Sequence, residues 1–219
     1  TTIGSMEDLD AASLEDVQDW FKTYYGPNNA VLALAGDIDL ETAKAKVTKF
    51  FGDIPAGPPL IKPERWIAKR LEEKREVMFD SVPQARIYKI WNVPERDTEA
   101  AAHFDLASSI LVGGKNSPLY KELVYEKQIA TNVSSFYYDR EIAGMFFITA
   151  DVVAGVDPAI VEQSMDEVME AFIKKGPSTK LLKAEKTKAI AGFIRGIQRI
   201  GGFGGKSDLL ATCQTYTGN

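Results

Sequence analysis

Cysteine and histidine are almost absent from the chain, which has one of each, Cys213 and His103, among 219 residues. A single cysteine excludes an internal disulfide and any metal site built from several cysteines. Protein zinc sites usually take three or four ligands from Cys, His, Asp and Glu, and most include two or more His or Cys. The composition therefore argues against a zinc site held by this chain alone.

An excess of basic charge and long apolar runs are also lacking. The formal net charge is -5, and there is no basic stripe of the kind that nucleic-acid-binding proteins present. No apolar run approaches the roughly 20 residues that a helix needs to cross a bilayer. We therefore expect neither a nucleic-acid partner nor a membrane partner.

The chain opens with TTIGSMEDLDAA, without an initial methionine. This segment has neither the basic start nor the apolar centre of a signal peptide. We expect a fragment of a longer protein, with any targeting signal outside it.

The amino-terminal part of the chain predicts a helix, a strand and a second helix. Ser13 can cap a helix that ends before Gly26-Pro27, since acids follow it and apolar residues recur at helical spacing. The apolar run AVLALA at 30–35 predicts a short buried strand, and Asp39 can cap the next helix. The proline-rich stretch at 56–67 predicts an extended linker.

The remainder of the chain predicts strands and helices in mixed order. Alternating residues indicate strands, and capping residues followed by helical periodicity indicate helices. Strands are predicted at 74–82, 85–93, 130–138 and 145–153, and helices at 98–111, from 117, at 157–174, from 178 and at 208–216, with a helix break at GGFGG (201–205). This order favours an α+β fold in which helices pack on one face of an antiparallel β-sheet. We expect a single metal-free domain over 1–219, made of a helix–strand–helix segment (1–55), the linker (56–67) and a main α+β body (68–219).

None of the residue types that perform catalysis forms a convincing constellation. His103 lies in the middle of a predicted helix without a second histidine, and a structural or exposed imidazole is the favoured interpretation. Ser108-Ser109 and Ser134-Ser135 lie outside a Gly-x-Ser-x-Gly elbow and lack a second histidine as base. The sequence Gly204-Gly205-Lys206-Ser207 contains Gly-Lys-Ser but follows a helix, and Ile200 stands where the Walker pattern needs glycine.

Carboxylates and lysines have simple structural interpretations. Asp37 and Asp39 suit turn and capping positions. Six lysines cluster around one helix start, and we interpret them as a solvated face: Lys174, Lys175, Lys180, Lys183, Lys186 and Lys188. We assign no catalytic, cofactor-binding or metal-binding residue in this chain.

The order of motifs resembles the insulinase/pitrilysin family of zinc metallopeptidases. The likeness runs through SLEDVQDWFKTYYGPNNAVLALAGDIDLETAKAKVTKFFGDIP and LVGGKNSPLYKELVYEKQIATNVSSF, and continues to the GGFGG break. The resemblance implies the mitochondrial-processing-peptidase/LuxS-like metallohydrolase fold. It also implies lobes of two similar halves, of which one holds zinc through His-x-x-Glu-His and a downstream Glu. That motif is absent here, so the chain resembles the metal-free, inactive half.

The stretch ELVYEKQIATNVSS (122–135) is where the comparison with the family is most informative. Active members tend to have Leu-Arg-Glu-x-x-Gly-Leu-Ala-Tyr in the lobe opposite the metal, and its Arg and Tyr help to hold substrate. The Arg position falls on Val124, the Gly position on Gln128 and the Tyr position on Thr131. Valine cannot donate to a developing oxyanion and threonine is too short to replace the phenol.

The resemblance therefore implies a non-catalytic structural domain of a zinc metalloendopeptidase. Its expected partners are the metal-bearing half of the same polypeptide, a second lobe or subunit, and a peptide substrate. Zinc is expected in the other half and no cofactor in this chain. One alternative is a catalytically dead scaffold subunit of a processing-peptidase-like assembly, and another is a nucleotide-binding protein using Gly204–Ser207.

Overall fold

The computed structural model describes residues 4–218, so that residues 1–3 of the opening segment and Asn219 lie outside the described residues. The α-helices in this range are α1 (Met6–Ala11), α2 (Leu14–Tyr24), α3 (Leu40–Phe51), α4 (Glu99–Val112), α5 (Pro158–Lys175), α6 (Thr179–Gly196) and α7 (Lys206–Thr217). The strands are β1 (Arg86–Val93), β2 (Ala130–Tyr138) and β3 (Gly144–Val152), and a π-helix covers Tyr120–Glu126.

The chain divides into two compact units, one of residues 63–193 and one that combines 1–62 with 194–219. The boundary at 62/63 falls within the proline-rich stretch. Whether 1–219 acts as a single domain stays a prediction. None of the helices in the described range is both long and apolar enough to span a bilayer.

The unit of residues 63–193 is built on a three-stranded antiparallel sheet in the order β1-β3-β2. Strands β2 and β3 form a hairpin around residues 139–143, and β1 pairs along the other side of β3 from Arg86↔Asp151 to Val93↔Gly144. The predictions of these three strands are confirmed. The central strand β3 is the most buried element of the sheet.

Successive side chains along each strand point to opposite sides of the sheet, so the sheet has two different faces. On the core face, β3 contributes Phe146, Ile148, Ala150 and Val152, all at most 5% exposed. The opposite face, here called the open face, is formed by alternate residues of each strand. By register these are Arg86, Tyr88, Ile90 and Asn92 of β1, Met145, Phe147, Thr149 and Asp151 of β3, and Asn132, Ser134, Phe136 and Tyr138 of β2.

Helices cover the core face. Leu111 of α4, Leu123 of the π-helix and Met165 of α5 are almost fully buried within the same apolar cluster as β3. Thr98 begins α4 by accepting a hydrogen bond from the amide of Ala101. The predicted α+β class, with helices on one face of an antiparallel sheet, is confirmed.

The predictions of strands at 30–35 and 74–82 are wrong for this structure. Both segments are extended but have no ladder partner among the described residues. A strand requires a neighbouring strand to hydrogen-bond with, and a local pattern does not specify that neighbour. As a result Leu32 is 55% exposed and Phe79 is 94% exposed.

The unit that combines 1–62 with 194–219 is held by capped helices and a close backbone approach. Ser13 forms a reciprocal capping box with Asp16 at the start of α2, and Asp39 caps α3 through the amide of Thr42. Gly26 is required at the end of α2 because a Cβ there would lie 2.5 Å from the amide nitrogen of Gly57. The predictions of α2 and α3 are confirmed.

Candidate functional site

The helix-to-strand corner at 122–135 contains irregular backbone at three successive places. The first is the π-helix Tyr120–Glu126, where an α-helix is predicted from the sequence. Its closing hydrogen bond runs from the amide of Lys127 to the carbonyl of Glu122, at 2.9 Å. Val124, at the position of the family's arginine, is half-buried and packs against the core cluster.

The second irregularity is Gln128, whose φ of +52° lies in the left-handed region. A glycine occupies this position in the family pattern. Glycine adopts positive φ without a steric penalty, whereas a glutamine does so at a cost. The backbone at Gln128 thus adopts a conformation that suits glycine, the residue that the resemblance implies at this position.

The third irregularity is a β-bulge between Ala130 and Asn132, with Thr131 as the extra residue. The Thr131 hydroxyl accepts a hydrogen bond from Gln84 Nε2 at 2.9 Å and donates to the carbonyl of Asp151 at 3.4 Å. Bulges often redirect side chains beside functional sites. Here the Thr131 side chain, at the position where the resemblance implies a tyrosine, joins β2 to the residues before β1.

Charged groups tie the corner to α5. Lys127 Nζ lies 2.9 Å from Glu122 Oε1 and donates to Ser164 Oγ at 3.0 Å. Its hydrogen bond with Glu122 raises the pKa of Lys127 above its usual value. Lys127 therefore remains charged, and it links the corner to α5 rather than acting as a base. Tyr125, two residues before it, is 72% exposed.

The candidate serine and histidine residues do not form a catalytic arrangement. The side chain of His103 is 70% exposed, and its Nε2 lies 3.9 Å from Glu99 on the same helix. Ser108 donates to the carbonyl of Ser135 at 2.6 Å, and Ser134 pairs with the hydroxyl of Thr149 at 2.6 Å. These contacts connect α4 to β2 and β2 to β3.

The Gly-Lys-Ser stretch uses its amides within its own loop. The amides of Gly205, Lys206 and Ser207 donate to the carbonyls of Gly202, Arg199 and Ile200, respectively. The amide of Gly204 donates to the carboxylate of Asp208 at 2.8 Å. A phosphate would require these donors free and no carboxylate beside them, so the geometry disfavours the nucleotide interpretation.

The described residues do not fit a zinc ion. Across 4–218 there is no group of three or more His, Cys, Asp or Glu side chains that could hold a metal. A cavity of about 760 Å³ is lined by Arg65, Trp66, Ile67, Lys69 and Glu95, and Arg65 and Glu95 form an ion pair across 3.1 Å. This donor set is not that of a zinc site.

The aromatic residues on the open face of the sheet were not predicted from the sequence as a group in contact. Phe136 and Phe147 stack there with ring centroids 4.7 Å apart, and Tyr138 meets Phe147 edge to face. The signal was the recurrence of aromatic residues at alternate positions of β2. That signal becomes meaningful only when the register places Phe147 opposite Phe136.

Comparison with known families identifies the chain. The family model described as the peptidase M16 inactive domain matches residues 11–189. The chain belongs to this family. It is an inactive domain related to insulinase-type zinc proteases, as the resemblance implied.

Curated relatives of this inactive domain are zinc proteases of greater length. The chain is 23% identical over 191 residues to the zinc protease PqqE of Helicobacter pylori, covering 86% of the chain and 42% of the relative. It is 25% identical over 187 residues to the uncharacterized zinc protease YmxG of Bacillus subtilis, covering 84% of the chain and 44% of the relative. The inactive domain thus spans less than half the length of these relatives.

Solved structures support the fold of the inactive domain. A protease from Helicobacter pylori superposes with a TM-score of 0.79 at 21% identity, covering 98% of this chain and 52% of that one. A peptidase M16 inactive domain from Pseudomonas fluorescens superposes with a TM-score of 0.74 at 23% identity, covering 97% of this chain and 49% of that one. A chain in complex III2 from Candida albicans superposes with a TM-score of 0.74 at 13% identity, covering 100% of this chain and 52% of that one.

Proposed function

We propose that this inactive domain is a non-catalytic structural part of a zinc-dependent metalloendopeptidase, which packs against the metal-bearing half and helps to form the peptide-binding cleft. The observation that supports it best is the exposure of apolar helix faces in the unit of 1–62 and 194–219. None of the residues of α1, α2, α3 and α7 in the described range is buried.

Helix α2 illustrates this exposure. Val17 and Phe21 lie one turn apart on its apolar side and are 48% and 53% exposed. In α3, Phe50 and Phe51 are 67% and 51% exposed. Large apolar surfaces of this kind mark interaction sites, and the metal-bearing half of the same polypeptide is the partner that the family relationship suggests.

An assembly experiment tests this packing. The metal-bearing half is expressed as a separate chain and captured on this domain, with Val17→Asp/Phe21→Asp as the test variant. We expect loss of capture, because two carboxylates would be buried without partners. Asp19→Lys, on the side of the same helix opposite Val17 and Phe21 and with a side chain that is 66% exposed, is the matched control and keeps full capture. Equal capture by the test variant would contradict the proposal.

A second candidate function is a scaffold subunit without catalysis. Its support is the fold similarity over the entire chain to a chain in complex III2. An intact His-x-x-Glu-His motif in the rest of the parent polypeptide, together with zinc in the purified full-length protein, favours the peptidase. A full-length protein lacking both favours the scaffold.

A further inference from the structure

The chain before β1 contains an exposed segment, residues 69–79, that is neither helix nor strand. All of its residues are exposed, Leu71 fully and Phe79 by 94%. Within the described range 4–218, none of them forms a hydrogen bond between backbone groups. Exposed segments that lack backbone hydrogen bonds are the places where folded proteins are cut by endoproteases, which bind their substrates as extended chains.

The exposed segment is attached at two points to the unit of 63–193. Just before it, the carbonyl of Ala68 accepts a hydrogen bond from Asn92 Nδ2 at 2.8 Å. Within it, the Arg75 guanidinium donates to both carboxylate oxygens of Glu162 on α5, at 2.9 and 2.5 Å. A cut between these two points therefore leaves each new chain end attached to the same folded unit.

Four basic residues lie in the exposed segment: Lys69, Arg70, Lys74 and Arg75. Arg75 is held by Glu162, and Lys74 Nζ lies 2.5 Å from Glu76 Oε1. Arg70, in contrast, forms neither a hydrogen bond nor an ion pair with any residue between 4 and 218. Trypsin-type proteases take a basic side chain into a pocket that contains a carboxylate. The Arg70 side chain is free to enter such a pocket, whereas that of Arg75 must first leave Glu162.

We propose that the Arg70–Leu71 peptide bond is a site of proteolytic modification by an endoprotease of trypsin-type specificity, and that the cleaved chain persists as a folded two-chain form. Hydrolysis consumes one water molecule. Its oxygen joins the carbonyl carbon of Arg70, which becomes a carboxylate, and the nitrogen of Leu71 leaves with both protons as an ammonium group. Lys69 is less well placed than Arg70, because it directly follows the hydrogen-bonded carbonyl of Ala68. The inference goes beyond the proposed function and does not depend on it.

The test is limited digestion of the 219-residue chain by trypsin under native conditions, with the fragments identified by mass spectrometry over time. We expect residues 1–70 and 71–219 to be the first products. A synthetic peptide of residues 66–80, digested in parallel, gives the intrinsic ratio of cleavage after Arg75 to cleavage after Arg70. In the folded chain this ratio should fall roughly fivefold, because the paired guanidinium of Arg75 is withheld from the protease.

Two variants and their matched controls connect the result to the structure. Glu162→Gln replaces the carboxylate that holds Arg75 and should return the ratio to that of the peptide. Glu170→Gln, at an exposed carboxylate of the same helix, should keep the ratio of the unmodified chain. Arg70→Gln should remove the 71–219 fragment, and Lys186→Gln, at an exposed lysine within α6, should leave it in place. Thermal melts check that each variant retains the fold.

The two-chain form is tested by size-exclusion chromatography of the cleaved chain. It should elute as one species at the volume of the uncut chain, because both new ends stay attached. Three results would each overturn the proposal: first cleavage at a bond other than Arg70–Leu71, a ratio in the folded chain equal to that of the peptide, or separation of the two fragments under native conditions.

Discussion

Gln128 joins the π-helix to β2 with a left-handed backbone, at φ +52°. Buried residues on both sides of Gln128 hold its backbone in this conformation. Leu123 is fully buried before it, and Ala130 is 3% exposed after it. The surrounding structure therefore fixes the conformation of the corner, and the residue at 128 adapts to it.

Replacing Gln128 by glycine should stabilise the chain. The substitution removes the strain of positive φ, roughly 1–2 kcal/mol, and loses part of that gain to the greater entropy of glycine in the unfolded state. We expect a net increase of about 0.5–1 kcal/mol in the free energy of unfolding, measured by urea denaturation. Gln128→Ala is the control, because it removes the same side chain and keeps the strain. A Gln128→Gly variant no more stable than Gln128→Ala would disprove this account.

At the scale of elements, a charged contact connects the extended segment before β1 to α5. The Arg75 guanidinium donates hydrogen bonds to both carboxylate oxygens of Glu162, at 2.9 and 2.5 Å. Lys89 Nζ lies 3.3 Å from the same carboxylate. Lys89 also donates to Asp166 at 2.7 Å. One carboxylate of α5 thus holds β1 and a segment that has no ladder partner in the described structure.

This contact predicts acid sensitivity. The hydrogen bond from Arg75 lowers the pKa of Glu162 below its usual value of 4.5, with a smaller lowering by Lys89. A lowered folded-state pKa means that the stabilisation is present above pH 4.5 and is lost as the pH falls through the folded value. Glu162→Gln should therefore flatten the fall in unfolding free energy between about pH 6 and pH 3, and cost about 1 kcal/mol at pH 7.

Urea denaturation across that pH range measures the effect. Glu170→Gln, an exposed carboxylate of the same helix, is the control and should keep the slope of the unmodified chain. A Glu162→Gln variant with an unchanged slope would rule out the Arg75 contact as its source.

Elements with local determinants could be predicted from the sequence, and those that depend on distant partners could not. Ser13, Asp39 and Thr98 each cap a helix as their residue types indicate. Strand β1 shows the alternation of Ile87, Lys89 and Trp91 that the sequence displays. The segments at 30–35 and 74–82 have equally clear strand patterns, yet a pattern does not supply the neighbouring backbone on which a ladder depends.

The candidate site was less predictable than the fold. The positions of Val124, Gln128 and Thr131 follow from the family pattern, but the π-helix, the positive φ and the bulge do not follow from residue type. Glutamine and threonine have no preference for these conformations. The stack of Phe136 on Phe147 depends on the register of β2 and β3, which sets which rings meet across the strands.

At the scale of the whole molecule, the composition predicts how the isolated chain behaves towards metal. Purified alone, it should retain no stoichiometric zinc and cleave no peptide, because a single His and a single Cys cannot supply a usual zinc donor set. Elemental analysis and a peptide-cleavage assay measure both. His103→Asn and Cys213→Ser are controls that should change neither result. Stoichiometric zinc accompanied by chelator-sensitive cleavage would refute the assignment as a non-catalytic domain.

The division of the chain into two units has a consequence for folding during synthesis. The unit of 63–193 is continuous, whereas the other unit needs residues 194–219 to join 1–62. A hydrogen bond from Lys62 Nζ to the carbonyl of Thr215, 153 positions apart, belongs to that late closure. Contacts between distant residues form slowly because a long loop must close first. Residues 4–62 are synthesised before the sheet but are therefore among the last to reach their native contacts, and their apolar helices remain available to chaperones while the sheet forms.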